Sequence, residues 1–109
     1  MRFWNESRSV FPNSQTGYVW ANATVGMINN SNSDLYKGYV YLKIGNQTGG
    51  FVTTTVHPKD SYSNISTNFR AGPFGPTGSI SASIWAYADN NDVSVTGGTY
   101  LFALSNLNN

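Results

Sequence analysis

The sequence has no cysteine, little charge and no long apolar run, and each absence narrows what the chain can be. Without cysteine there is no disulfide framework and no thiolate metal site, although the redox compartment stays open. Charged residues make up 10% of the chain, against about 25% in a typical soluble domain. Neutral polar side chains therefore keep the surface wet, a composition associated with secreted, surface-attached or virion proteins. The six cations, Arg2, Arg8, Lys37, Lys43, Lys59 and Arg70, are scattered and leave a net charge of +1. A nucleic-acid binder concentrates such groups to displace counterions from phosphate, so nucleic acid is not an expected partner. Residues 71–88 carry no charge, but Gly, Pro and Ser interrupt them. A membrane-spanning helix needs about 20 mostly apolar residues, so no transmembrane segment is expected. The opening Met1-Arg2-Phe3-Trp4-Asn5-Glu6 lacks the apolar stretch of a signal peptide. The expectation is a chain exported by another route, not exported, or a mature form with an added initiator Met.

What the chain does have is aromatic weight: three Trp, seven Tyr and six Phe in 109 residues. Each buries a large area when packed, which a disordered chain of similar Asn, Ser, Thr and Gly content would lack. The length suits one hydrophobic core, so residues 1–109 are expected to form a single domain, with 1–12 an N-terminal arm or edge strand.

The apolar period is two. In 79–88, Ile80, Ala82, Ile84, Ala86 and Ala88 alternate with Ser79, Ser81, Ser83, Trp85 and Tyr87. In 38–44, Val40, Leu42 and Ile44 alternate with Tyr39, Tyr41 and Lys43. In 18–28, Val19, Ala21, Ala23, Val25 and Met27 alternate with Tyr18, Trp20, Asn22 and Thr24. Successive side chains of a strand point to opposite faces, so each segment reads as a strand with a dry and a wetter side. Residues 51–56, 62–69, 93–96 and 99–104 are rich in β-branched or aromatic types and read as further strands. Loops are expected at 29–34, 45–50, 57–60 and 71–78, and Gly97-Gly98 suits a tight hairpin turn. The expected fold is an all-β antiparallel sandwich of seven or eight short strands, jelly-roll or immunoglobulin-like, with a closed barrel as the alternative.

Catalytic chemistry is thinly provided. His57 is the only histidine, and His57-Pro58-Lys59-Asp60 has the order of an ordinary turn with no nucleophile elbow elsewhere. Of the five acids, Glu6, Asp34, Asp60, Asp89 and Asp92, four fall in expected loops. A raised carboxyl pKa of the glycosidase kind is hard to maintain there. No enzyme activity, cofactor or transition metal is expected. Asp89-Asn90-Asn91-Asp92 offers hard oxygen donors of the kind calcium takes, but it lacks the Gly and distal Glu of an EF-hand loop and reads first as an Asx-rich turn. Five Asn-x-Ser/Thr sequons occur, at Asn5, Asn22, Asn29, Asn46 and Asn64. This is little above the roughly three expected by chance, and Asn29 and Asn46 stand in expected loops as the accessible acceptors.

The aromatic residues are the more informative set. Tyr18, Trp20, Tyr39, Tyr41, Trp85 and Tyr87 each lie on the more polar face of an alternating strand. If those strands share a sheet, six rings line one platform able to stack on sugars or bury against another protein copy. The competing reading makes that face the core, since large aromatics usually pack inside so small a domain. Phe3, Trp4, Val10 and Phe11 mark the opening segment as a second candidate, an arm that adds a strand to a neighbour. The expected function is a non-catalytic, extracellular or surface-exposed module acting by self-assembly or binding, as in a filament, pilus or virion subunit. Its partners would be copies of itself or a surface glycan. The alternatives are a carbohydrate-binding or adhesive domain, and a secreted antimicrobial or toxin-like protein acting on a cell envelope.

Overall fold

Period-two alternation requires each strand to find a second layer for its dry side, and the chain supplies two. The computed structural model describes residues 2–10, 17–74 and 80–106, with backbone placement alone for 2, 3, 8, 10 and 97–106. The strands are β1 (Arg2–Val10), β2 (Gly17–Asn29), β3 (Tyr36–Ile44), β4 (Gln47–Thr48), β5 (Val52–Val56), β6 (Ser61–Phe74), β7 (Ile80–Ala88) and β8 (Val93–Asn106). They form two antiparallel sheets that do not close into a barrel, and no helix occurs among the described residues. The large sheet runs β1-β7-β3, with β4 and β5 both on the far side of β3; the small sheet runs β6-β2-β8. Strands adjacent in sequence mostly lie in opposite sheets. The exception is β3-β4-β5, which turns back at Gly45-Asn46 with Ile44 opposite Gln47. Gly45 holds a φ of 59° there, a left-handed angle that a side chain would oppose.

The core lies between the sheets and is made by the Ala, Val, Leu, Ile and Met sides of the alternating strands. From β2 come Val19, Ala21, Ala23, Val25 and Met27; from β3, Val40, Leu42 and Ile44; from β7, Ala82, Ile84, Ala86 and Ala88, all 2% exposed or less. The reading that placed the aromatic sides inside is therefore overturned. Sheets in a sandwich pack about 10 Å apart, and the alanine-rich inner faces suit that close approach. Each fully buried Val, Leu or Ile contributes about 2 kcal/mol. The long strands make a rod of 52 × 20 × 18 Å.

Two loop assignments change. The segment 93–106 is one strand, not two joined by a hairpin at Gly97-Gly98. Gly97 and Gly98 pair with Gly26 and Val25 of β2, and a bulge beside them absorbs Thr96. Residues 71–74, expected in a crossing loop, extend β6, where Ala71 pairs with Val19 and Phe74 with Gly17.

Candidate functional site

The outward face of the large sheet follows from the same alternation. Where β3 and β7 bury Val40, Leu42, Ile84 and Ala86, they turn Tyr39, Tyr41, Trp85 and Tyr87 to solvent. Register sets these four side by side, Tyr39 opposite Tyr87 and Tyr41 opposite Trp85. Tyr39 and Tyr87 stack with centroids 4.6 Å apart and planes 8° off parallel. Tyr41 and Trp85 are parallel within 5° at 6.1 Å. Phe51, from the stretch between β4 and β5, meets Tyr39 edge-on at 5.7 Å and is 60% exposed. The Trp85 indole N–H donates to Ser83 Oγ at 2.9 Å, which satisfies its polar edge and fixes the ring. Ser83, expected on a wet side, is buried in consequence of that position. Partial burial first, and the charge of the nearby Asp89 carboxylate second, push the Tyr39 phenol above its usual pKa.

Beside the rings lies a groove of about 370 Å³ lined by Tyr41, Lys43, Thr48, Gly49, Phe51 and Trp85. That volume is at the lower end of small-molecule sites. Its far rim is placed by Gly49: a Cβ there would meet the Phe69 ring at 2.9 Å, so only glycine lets the chain pass this close. The lining carries one cation and no carboxylate.

The six-ring platform expected from the sequence divides. Tyr39, Tyr41, Trp85 and Tyr87 share the large sheet, but Tyr18 and Trp20 belong to β2 of the small sheet. There Trp20 is 49% exposed and the Arg70 guanidinium sits 3.9 Å above the Tyr18 ring, a cation–π contact. Phe51 joins the site instead; it stood in an expected strand, and nothing in its local pattern connected it with Tyr39.

The opening segment is taken up by its own chain. Arg2–Val10 pairs along its length with Ala88–Ile80 as an edge strand of the large sheet. Trp4 is half-buried and packs against the core. The backbone of Phe3 lies opposite Tyr87 and that of Val10 opposite Ile80; Phe11 lies outside the described residues.

The other candidates resolve as local structure. In Asp89–Asp92, Asn90 Oδ1 accepts from the Asp92 N–H at 2.8 Å, an Asx turn. Among the described residues no group of three or more His, Cys, Asp or Glu converges. His57 is exposed beside a turn in which Lys59 and Asp60 take φ of 63° and 59°. Asn46 is exposed, but Asn29 is fully buried and unavailable as a glycan acceptor. Its amide donates to the carbonyls of Asp34 at 2.8 Å and Val56 at 2.9 Å, and its Oδ1 accepts from the Ser31 N–H.

No protein-family model matches this sequence, and no curated protein matches it either.

Proposed function

We propose that this chain is a non-catalytic, extracellular or surface-exposed module that works by association, and that its outward aromatic strip binds carbohydrate. The observation that carries this reading is the groove of Tyr41, Phe51 and Trp85 beside the Tyr39–Tyr87 stack. Half-exposed rings offer flat apolar surface to the C–H faces of a sugar, while Thr48 and Lys43 at the rim supply polar partners for hydroxyls. A lining without carboxylate gives neither an acid/base pair nor a cation site, which favours binding over hydrolysis. The test is titration with a panel of neutral oligosaccharides. Trp85→Ala and Phe51→Ala should each weaken binding by about tenfold or more, Trp20→Ala should leave it unchanged, and all three should stay folded. Affinity should change little between about 50 and 500 mM salt, because ring contacts are not screened. Binding that survives Trp85→Ala, or falls a hundredfold with salt, would refute the assignment.

A second reading, a subunit that assembles with its own copies, is supported by a separate observation: the small sheet ends on both sides in 14-residue strands, β6 and β8.

A further inference from the structure

We infer that β8 is the assembly edge, and that it pairs with β8 of a second copy to join two small sheets into one continuous six-stranded sheet. The inference rests on the assembly reading above and names the surface that reading leaves open.

An unpaired strand edge exposes a row of N–H and C=O groups, and monomeric proteins blunt such edges with charge, proline, interruption or a covering segment. The edge of the large sheet at β1 has charged Arg2, Glu6 and Arg8 at the positions opposite core-facing Ala88, Ile84 and Ala82. Its other edge is broken into β4, of two residues, and β5, of five, so no long ladder is offered there. The small sheet's β6 edge carries Arg70 and has Pro73, which has no N–H to donate, as its next-to-last residue. β5 also runs close beside β6, where the Ser63 hydroxyl donates to the Thr55 carbonyl at 3.5 Å.

β8 is guarded less than the others, since β1 of the other sheet comes near it at a few positions only. Its 14 residues include no charge and no proline. The one irregularity, the bulge at Thr96, lies near its start and leaves 97–106 in unbroken register with β2. No described strand pairs with its outer side. An edge that meets its own copy about a twofold axis is self-complementary and closes, whereas mixed edge pairing would run on into a filament. With the other three edges blunted, the closed pair is the arrangement the chain permits, and it places two ring-lined grooves on one particle.

The test uses substitutions at two register positions of β8. Thr99 and Leu101 stand in register opposite Thr24 and Asn22, two positions of β2 that do not contribute to the core. The wild-type chain should be dimeric by analytical ultracentrifugation within about 1–100 µM. Thr99→Lys/Leu101→Lys should raise the dissociation constant by about a hundredfold or more, as should Thr99→Glu/Leu101→Glu, because like charges meet across the axis. Mixing the two variants should restore a dimer of one of each, which also shows that both are folded. The same charge on β1, Asn5→Lys/Ser9→Lys, should change nothing. In wild-type protein, amide exchange across 97–106 should slow as concentration rises while that of β1 and β6 does not. A dimer that survives the β8 lysines, or concentration-dependent protection at β1 or β6 instead, overturns the β8 edge and leaves assembly standing. A wild-type chain that is monomeric throughout overturns both.

Discussion

The two sheets are alike inside and unlike outside. Toward the core both present the same chemistry: Val19, Ala21, Ala23 and Val25 from β2 face Val40, Leu42, Ile84 and Ala86 from β3 and β7. Outward, the small sheet sets Asn22, Thr24, Ser66 and Asn68 among the separate rings of Tyr18, Trp20 and Tyr62, with the Thr24 and Ser66 hydroxyls hydrogen-bonded across strands at 2.8 Å. The large sheet instead sets two parallel ring pairs and Phe51 along one strip. Cross-strand pairs of either kind stabilise a sheet by about 0.2–1 kcal/mol, so holding the fold does not require rings. The inner faces answer to volume and flatness. What separates the sheets among the described residues is a ring-lined groove on one and, on the other, a long β8 edge that no described strand pairs.

The largest expected effect tests whether the two faces of one strand are as different as that comparison requires. Ile84→Asp places an uncompensated carboxylate at a fully buried position and should unfold the domain. The cost is several kcal/mol, comparable with a whole domain stability of about 5–15 kcal/mol. Ser81→Asp, on the exposed side of the same strand, should shift the urea midpoint hardly at all. Ser83 would be a poor comparator, because it is buried and accepts the Trp85 indole hydrogen. Similar midpoints for the Ile84 and Ser81 variants would break the inside–outside distinction.

A smaller effect sharpens the comparison where the sheets are tied together. Asn29 ends β2 in the small sheet, yet its amide reaches the Val56 carbonyl of β5 in the large one. Asn29→Ala should cost about 2–4 kcal/mol, since it strips hydrogen bonds from Ser31, Asp34 and Val56 inside the structure. Asn46→Ala, in the exposed hairpin turn, should cost well under 1 kcal/mol by the same denaturation measurement.

Much of this was legible in the sequence because alternation is a local signal. The strands at 18–28, 38–44 and 79–88 and their dry sides follow from period two alone, and the structure buries those sides. Asn29 was legible too, although its Asn- and Ser-rich surroundings favour a loop: the odd-numbered positions from Val19 to Met27 point inward, and Asn29 continues that count. What composition could not give was which strands share a sheet. Tyr18 and Trp20 repeat the pattern of Tyr39 and Tyr41, but β2 crosses to the other layer, and that choice depends on how the whole chain is wound. The Gly97-Gly98 pair misled for a related reason. A glycine pair favours a turn locally, yet a 13-residue partner strand with Gly26 opposite holds it extended.

The smallest expected effect concerns a proton on the ring strip. Tyr39 stacks on Tyr87 and feels the charge of Asp89, whose carboxylate accepts from the Lys37 backbone N–H at 3.4 Å. Partial burial disfavours a phenolate there, and the Asp89 charge repels one, so the folded chain keeps this proton to a higher pH than the unfolded chain does. Its contribution to stability is therefore complete below the usual tyrosine value of about 10 and is lost as pH rises through the raised folded value. Denaturant midpoints should thus be flat in this respect through neutral pH and decline only in the alkaline range. Asp89→Asn removes the repulsion but not the burial, so it should bring the Tyr39 titration, followed by phenolate absorbance, part of the way back toward 10. Substituting Asp34 should leave Tyr39 untouched, because that carboxylate faces Tyr36 instead, whose hydroxyl donates to it at 3.3 Å. A Tyr39 titration indifferent to Asp89→Asn would mean that the carboxylate does not touch the strip, and that burial alone distinguishes this ring from a solvent-exposed one.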